Sequence, residues 1–358
     1  MPGLFDPIDV RGTRLRNRIF TAPMCQYSVM SRDGVPTPWH LVHLGSIAAG
    51  GSALVIAEAT AVTPQGRISD RDTGIWNDGQ ADAWRPITDF IASQGAVPGI
   101  QLAHAGRKGS TWSPWGEQGR SGTIAAELGG WPTVAPSAVP YEGLAAPQAL
   151  DLEGIDAIVD AFADAARRAV EAGFRMVEVH AAHGYLLHEF LSPVSNLRTD
   201  DHGGSLQNRS RLLLRVVRRV REAIGELPLF VRFSASDWAP TGWDVDACAT
   251  VAEWCAEAGA DFFDISSGGN VPARIPTGPG YQVPFAARIK RLTGLPVSAV
   301  GIITEPRQAS EVVSSGQADA VSLARELLRD PHFPLRAAHE LGVDIDYWPG
   351  QYLRARWS

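Results

Sequence analysis

Cysteine is scarce in this chain, with only Cys25, Cys248 and Cys255 among 358 residues. They are too few and too scattered for a disulfide framework or a four-cysteine metal cluster, so a reducing, cytoplasmic setting is expected. Positive charge is also in deficit. A formal net charge of -7 opposes broad attraction to phosphate backbones or anionic membranes, which points away from nucleic acid and toward a small-molecule partner. No segment approaches the ~20 apolar residues of a membrane span, and Met1-Pro-Gly-Leu-Phe-Asp-Pro7 has no basic stretch leading into an apolar run. No G-x-G-x-x-G follows the first predicted strand, no H-E-x-x-H occurs, and no repeat or low-complexity linker divides the chain.

What is present builds a core. With 45% hydrophobic and 20% charged residues the chain is typical of globular proteins, and its length suits two or three ordinary domains or one large α/β barrel. Short apolar runs at 19–23, 53–57, 97–102, 176–180, 229–233, 262–266, 297–301 and 320–324 predict strands. Between them lie helical patterns such as 151–173, 205–224 and 244–259, with Gly173 and Gly259 placed as helix-ending glycines. Eight strands with intervening helices predict a single-domain (β/α)8 TIM barrel rather than an open doubly wound sheet. Residues 5–15 predict an N-terminal hairpin turning near Gly12, placed as a plug under the barrel. A long irregular stretch, 109–147, follows the third barrel strand and therefore belongs to the face where barrel active sites are built. Its Trp112, Trp115 and Trp131 suit either packing anchors or a substrate lid.

Chemistry gathers where the fourth barrel strand ends, at His180-Ala-Ala-His183-Gly184-Tyr185. The two imidazoles are neighbours on one turn, and Gly184 lets the backbone bend before Tyr185. Two donors can grip one oxygen there while a third group delivers a proton. Cys25, Gln101, His104 and Arg232 end or occupy other strands and converge on the same mouth. Singly, each has a bland explanation: a lone Cys is usually a small buried hydrophobe, and paired His are often structural. His180, His183 and His188 also leave a metal-dependent hydrolase or lyase open, although no cysteine pair or matching acidic ligand accompanies them. At the last two strands, Gly301 and Ala324-Arg325 occupy the usual phosphate position of such barrels, with Arg325 either a clamp or a surface arginine. Arg215, Arg218, Arg219 and Arg221 form a predicted solvated helix face.

Several long motifs follow one another along the chain. They are Ala22-Pro-Met-Cys-Gln-Tyr27, Glu58-Ala-Thr-Ala-Val62 with Gly66-Arg67, Gly99-Ile-Gln-Leu-Ala-His-Ala-Gly-Arg-Lys108 and His180-Ala-Ala-His-Gly-Tyr-Leu-Leu-His-Glu-Phe-Leu-Ser-Pro193. Ser195-Asn-Leu-Arg-Thr-Asp200, Val231-Arg-Phe-Ser-Ala-Ser236 and the run from Arg325 to Pro331 complete the set. Together these motifs resemble the Old Yellow Enzyme family of FMN-dependent ene-reductases, specifically its thermophilic-like subclass, and Cys25, Tyr27 and the second histidine at His183 carry the subclass assignment.

The resemblance implies non-covalent FMN, NADPH or NADH as hydride donor, and reduction of activated alkenes such as α,β-unsaturated carbonyls. It implies that Pro23, Met24, Cys25, Ala59, Gln101 and Arg232 line the isoalloxazine, and that Gly301, Ala324 and Arg325 hold the phosphate. His180 and His183 would bind the substrate oxygen, Tyr27 and Lys108 would contact substrate, Cys25 would tune the flavin and Tyr185 would donate the proton. It also implies a homodimer or homotetramer in which the tail, 345–358, crosses an interface and offers Arg354 to the neighbour's site, with Trp357 beside it. Ala324 stands where the subclass often has glycine, and the 109–131 segment is longer than in compact members. The nearest relatives to separate are larger flavin dehydrogenases with an iron–sulfur cluster and a second nucleotide-binding domain.

Overall fold

The computed structural model describes residues 2–115 and 119–357. A hairpin opens it, β1 (Ile8–Val10) and β2 (Thr13–Leu15), with Arg11 and Gly12 both at positive φ in the turn. Eight parallel strands then close a barrel: β3 (Ile19–Thr21), β4 (Leu54–Ala61), β5 (Val97–Ala103), β8 (Met176–Ala181), β9 (Leu229–Ser234), β10 (Phe262–Ser266), β11 (Val297–Ala299) and β12 (Ala320–Leu323). Helices α1 (Pro38–Ala49), α2 (Asp78–Ser93), α3 (Leu152–Glu171), α5 (Leu206–Ile224), α6 (Val245–Glu257), α7 (Val283–Thr293), α8 (Pro306–Ser314) and α10 (Phe333–Glu340) fall between and after the strands. Two short helices, α4 (Leu186–Leu191) and α9 (Arg325–Arg329), sit at the ends of β8 and β12.

Local chemistry explains the helix starts. Asp151, Ser205 and Asp244 each accept a backbone N–H of the first turn of α3, α5 and α6, and each stands at the first residue of a helical pattern in the sequence. Gly173 and Gly259 follow with φ of 93° and 114°, as helix-ending glycines do. Arg221 departs from the expected solvated face. Its guanidinium reaches Asp261 Oδ2 and the carbonyls of Leu227 and Gly259, so it staples the end of α5 to the strand behind it.

The barrel interior is layered. Its floor is apolar: Phe20, Leu54, Ile56, Met176, Phe230 and Phe262 pack with Val10 and Leu15, so the hairpin does plug the bottom. Phe230 and Phe262 stack at 4.6 Å between centroids. Above the floor the interior turns polar, and the apolar outer faces of the strands pack against the helices.

β4 runs longer than its sequence pattern, because a bulge between Ala57 and Ala59 inserts Glu58. A two-stranded sheet that the sequence did not signal, β6 (Val134–Ala135) with β7 (Gln148–Ala149), begins inside the 109–147 segment and closes just past it. Residues 116–118 of that segment lie outside the described residues. Trp131 stacks with Arg67 and donates its Nε1–H to Gln65 O, an anchoring role. Trp115 is exposed and meets the Tyr27 ring edge-on at 5.2 Å. Among the described residues, no helix is long and apolar enough to cross a membrane.

Candidate active site

The mouth of the barrel is organised around β8. His180 ends the strand's inward row, and its ring meets the rings of His183 and Tyr185 edge-on at 5.2 and 5.1 Å. The backbone turns sharply between them: His183 has φ 59° and Gly184 φ 70°. A β-carbon at Gly184 would fall 2.2 Å from Gly269 O, so the loops after β8 and β10 touch backbone to backbone. Lys108 closes the same contact by donating to His183 O and Gly269 O, each at 2.9 Å. That candidate substrate contact also lies 5.1 Å from the Tyr185 ring centre and 4.8 Å from that of Tyr141. Burial lowers its ammonium pKa to about 8.

Protonation follows from burial. Burial, reinforced by Arg232, holds His180 and His183 well below the usual imidazole range, so both are neutral near pH 7. Ala182 N–H donates to His180 Nδ1 at 3.3 Å, which leaves the ring proton on Nε2. His183 Nε2 lies 2.8 Å from Ser266 Oγ, and its backbone N–H donates to Ser234 Oγ. Burial, with Cys25 and Asp72 nearby, raises Tyr185 well above the usual phenol value, so it keeps its proton. Cys25 is likewise raised, by burial and then by Asp72 and Glu58. It is a thiol rather than a thiolate nucleophile.

Below the histidines, Gln101, Arg232 and Asp264 face inward on β5, β9 and β10. Arg232 Nε lies 3.1 Å from Asp264 Oδ2. No hydrogen bond among the described residues claims the rest of its guanidinium, which leaves donors for a ligand in a site otherwise short of cations. At the ends of β11 and β12, one cavity is lined by Gln282, Gly301, Thr304, Ala324 and Arg325. Ile302 beside Gly301 sits at φ 52°, a strained conformation for a β-branched residue and typical of ligand-binding turns.

Glu58, His188 and His104, each of which stood in a sequence motif, shape the site from behind the mouth rather than lining it. Glu58, freed by the bulge, accepts Gln26 N–H on Oε2 at 2.6 Å and meets His40 Nε2 with Oε1 at 2.8 Å. It thereby holds the loop carrying Cys25 and Tyr27, where Tyr27 has φ 49°. His188 faces away from the mouth: Gly184 N–H donates to its Nδ1, and its Nε2 is 3.1 Å from Asp237 Oδ1. His104 accepts Gly106 N–H at 3.1 Å and is neutral through burial, a loop-shaping role. Among the described residues, no three His, Cys, Asp or Glu side chains are grouped to hold a metal ion.

The model of the NADH:flavin oxidoreductase / NADH oxidase family matches residues 3–344. The chain belongs to that family, the Old Yellow Enzymes. It is 47% identical over 352 residues to an NADPH dehydrogenase of Geobacillus thermodenitrificans, covering 98% of each. Among solved structures, the Old Yellow Enzyme homologue of Zymomonas mobilis superposes with a TM-score of 0.78 at 28% identity, over 99% of this chain and 98% of that one. A 2-naphthoyl-CoA reductase superposes at 0.85 with 24% identity, a likeness of fold alone, and the chain covers 94% of itself but only 52% of that protein. As an Old Yellow Enzyme the protein is an FMN-dependent, nicotinamide-linked oxidoreductase. The groups at the mouth fit that cofactor: inward donors on Gln101 and Arg232, and a strand-end cavity with Arg325 for a phosphate.

Proposed function

We propose that this oxidoreductase is an ene-reductase, reducing the C=C bond of α,β-unsaturated carbonyls and similar activated alkenes in a ping-pong cycle driven by NADPH or NADH. FMN, when bound, supplies the hydride chemistry. Pro23, Met24, Cys25, Ala59, Gln101 and Arg232 would hold its ring system, and Gly301, Ala324 and Arg325 its phosphate. The observation that carries the reading is the packed set His180, His183 and Tyr185, two neutral imidazoles and one protonated phenol within ring contact.

An alkene that accepts hydride at its β-carbon develops negative charge on its carbonyl oxygen. His180 Nε2–H is a fixed donor for that oxygen, since Nδ1 is already engaged. His183 supplies the second donor from Nδ1 when Ser266 donates to its Nε2. Neutral donors suit the task because they stabilise developing charge without having to lose a proton themselves. Tyr185 then delivers its proton to the α-carbon, while Tyr27 orients the carbonyl. Cys25, as a neutral thiol beside the ring system, tunes the cofactor electrostatically. Lys108 keeps the loop geometry through its two carbonyl contacts and borders the substrate.

The same reading places Arg354 in a neighbour's site. The tail, 350–355, is exposed in the single chain, which leaves its arginine available to a second copy. Trp357 stacks on His339 and meets Trp348 of the same chain, which anchors the tail at the surface from which it would reach a second copy.

The test is an anaerobic visible spectrum of the FMN-loaded protein, followed as NADPH and then 2-cyclohexenone are added. Bleaching by NADPH and recovery with the enone are the expected outcomes. Bleaching without recovery refutes the alkene reading, and a colourless protein refutes the flavin assignment itself.

A further inference from the structure

Between the apolar floor and the histidine level lies a ring of buried polar side chains whose charges do not balance. Gln101, Glu178, Arg232, Asp264, Ser298 and Ser322 line it, from β5, β8, β9, β10, β11 and β12, and each is at most 5% exposed. Two carboxyls share one guanidinium. Asp264 has the better claim: Arg232 Nε is 3.1 Å from its Oδ2, Ser298 Oγ donates to its Oδ1 at 2.8 Å, and Ser322 Oγ donates to Ser298 at 3.1 Å. Among the described residues Glu178 has a single hydrogen bond, from Gln101 Nε2 to Oε1 at 2.7 Å, while its fully buried Oε2 has none.

An ionised carboxylate so placed is unstable against its neutral form, because burial removes it from bulk solvent and the neighbouring guanidinium is held by Asp264. Strand register sets the surroundings. Glu178 pairs directly with Gln101 across β5 and β8, and Arg232 pairs with His180 one rung above it. Glu178 therefore lies beside the two residues assigned to the flavin ring.

We propose that Glu178 is a redox-linked proton site, which takes up one proton from solvent when the flavin beside Gln101 and Arg232 is reduced. The proposal rests on the flavin reading above. In balance, the flavin gains two electrons and one proton as hydride and becomes an anion, while the Glu178 carboxylate gains a separate proton and becomes neutral. No other bond forms or breaks. The new negative charge repels the carboxylate as Asp264 already does, and the proton removes that repulsion.

The pH window follows from the surroundings. Burial, then Asp264, raises Glu178 to about 8, against the opposing pull of Arg232 and the Gln101 hydrogen bond. The oxidised protein thus loses this proton above about pH 8, and reduction restores it there. The groups facing it are Arg232 from β9, Asp264 from β10 and the uncharged Gln101 from β5, with neutral His180 above. Lys108 is not among them, but it titrates near the same pH, so its variant is the control for a break that does not belong to Glu178.

The midpoint potential of the FMN-loaded protein, measured by dye equilibration across neutral and alkaline pH, tests the idea. For a two-electron couple each linked proton contributes roughly 30 mV per pH unit. The wild type should fall by roughly 30 mV per unit at neutral pH and steepen toward roughly 60 mV per unit above the break. Glu178→Gln should keep the shallow slope throughout, and Lys108→Met should keep the wild-type break. A wild type without the break overturns the proposal, as does a break that survives in Glu178→Gln. Should that variant fail to fold, redox-difference infrared spectra of the wild type decide: a carboxylic-acid C=O band must appear on reduction at alkaline pH, and its absence overturns the proposal. Protein that takes up no FMN refutes the flavin reading first, and is recognised by its lack of colour.

Discussion

Gly184→Ala is the substitution whose effect the structure specifies most closely. The residue has φ 70°, and the added methyl would sit 2.2 Å from Gly269 O and 2.5 Å from Asn270 Cα. Both neighbours are backbone, so neither can rotate away. The left-handed conformation costs an alanine about 1 kcal/mol, and overpacking of this kind adds roughly 1–3 kcal/mol, for a total of about 2–4 kcal/mol. Gly294→Ala separates the two parts, since that glycine has φ 71° with nothing within 4 Å of where the new methyl group would lie, and should lose only the first. Movement has a chemical consequence as well, because His183 and Tyr185 flank the turn. A displacement of about 1 Å at a reacting centre can lower rate by about 10²-fold. Urea unfolding gives the stability difference between the two variants, and single-turnover oxidation of the prereduced enzyme by 2-cyclohexenone gives the rate. Equal stability losses in both variants, with an unchanged single-turnover rate in Gly184→Ala, would refute the backbone-contact argument.

Tyr185→Phe should slow alkene reduction by roughly 10²–10⁴-fold while leaving reduction by NADPH intact, checked by stopped-flow of each half-reaction; an undiminished alkene step removes Tyr185 as proton donor. His180→Ala should weaken phenol charge-transfer binding to the oxidised flavin and cost ~3 kcal/mol in the alkene step, as loss of one oxyanion donor does. Glu189 is raised to about 8 by burial, so its contribution to stability is complete below its unfolded value near 4.5 and is lost as pH rises through about 8. Glu189→Gln should flatten that decline in chemical denaturation, and an unaltered pH profile counts against it. Truncation after Gly350 should change both the Michaelis constant for alkene and the oligomeric state; if neither moves, Arg354 is not shared between subunits.

The barrel was legible because period and punctuation agreed. Each predicted strand lies on an observed one, and Asp151, Ser205 and Asp244 cap the helices that their sequences announced. The outer row of each strand faces helices and the inner row faces itself, so a run such as Leu-Phe-Val-Arg-Phe-Ser in β9 is buried on both sides. Arg232 stood out there because a charge in such a run needs a reason. Glu178 in Met-Val-Glu-Val-His-Ala is the same kind of signal on β8, but its significance depends on Asp264 and Gln101, which only strand register brings beside it. Glu58 was legible as part of a motif and not as a residue with work to do, since a bulge cannot be inferred from apolar periodicity. The small β6–β7 sheet was hidden because two-residue strands have no period at all. The resemblance gave Lys108 a substrate contact, and its two loop-bracing partners went unseen because they are carbonyls, which any residue type can supply.

The bulge in β4 lets one strand serve two addresses. Ala59 pairs with Gln101 and keeps the inward row, while the extra residue sends Glu58 to His40 on α1 and to the Gln26 amide. Loss of Glu58 alone would restore regular pairing with Ala59 still opposite Gln101, so the strand beyond would keep its faces. Thr60 and Ala61 would stay opposite Leu102 and Ala103, and what would go is the tether of the Cys25 loop. The extra residue therefore serves the mouth and not the closure of the barrel, so a strand shortened here would still complete the sheet while leaving the Cys25 loop without its anchor.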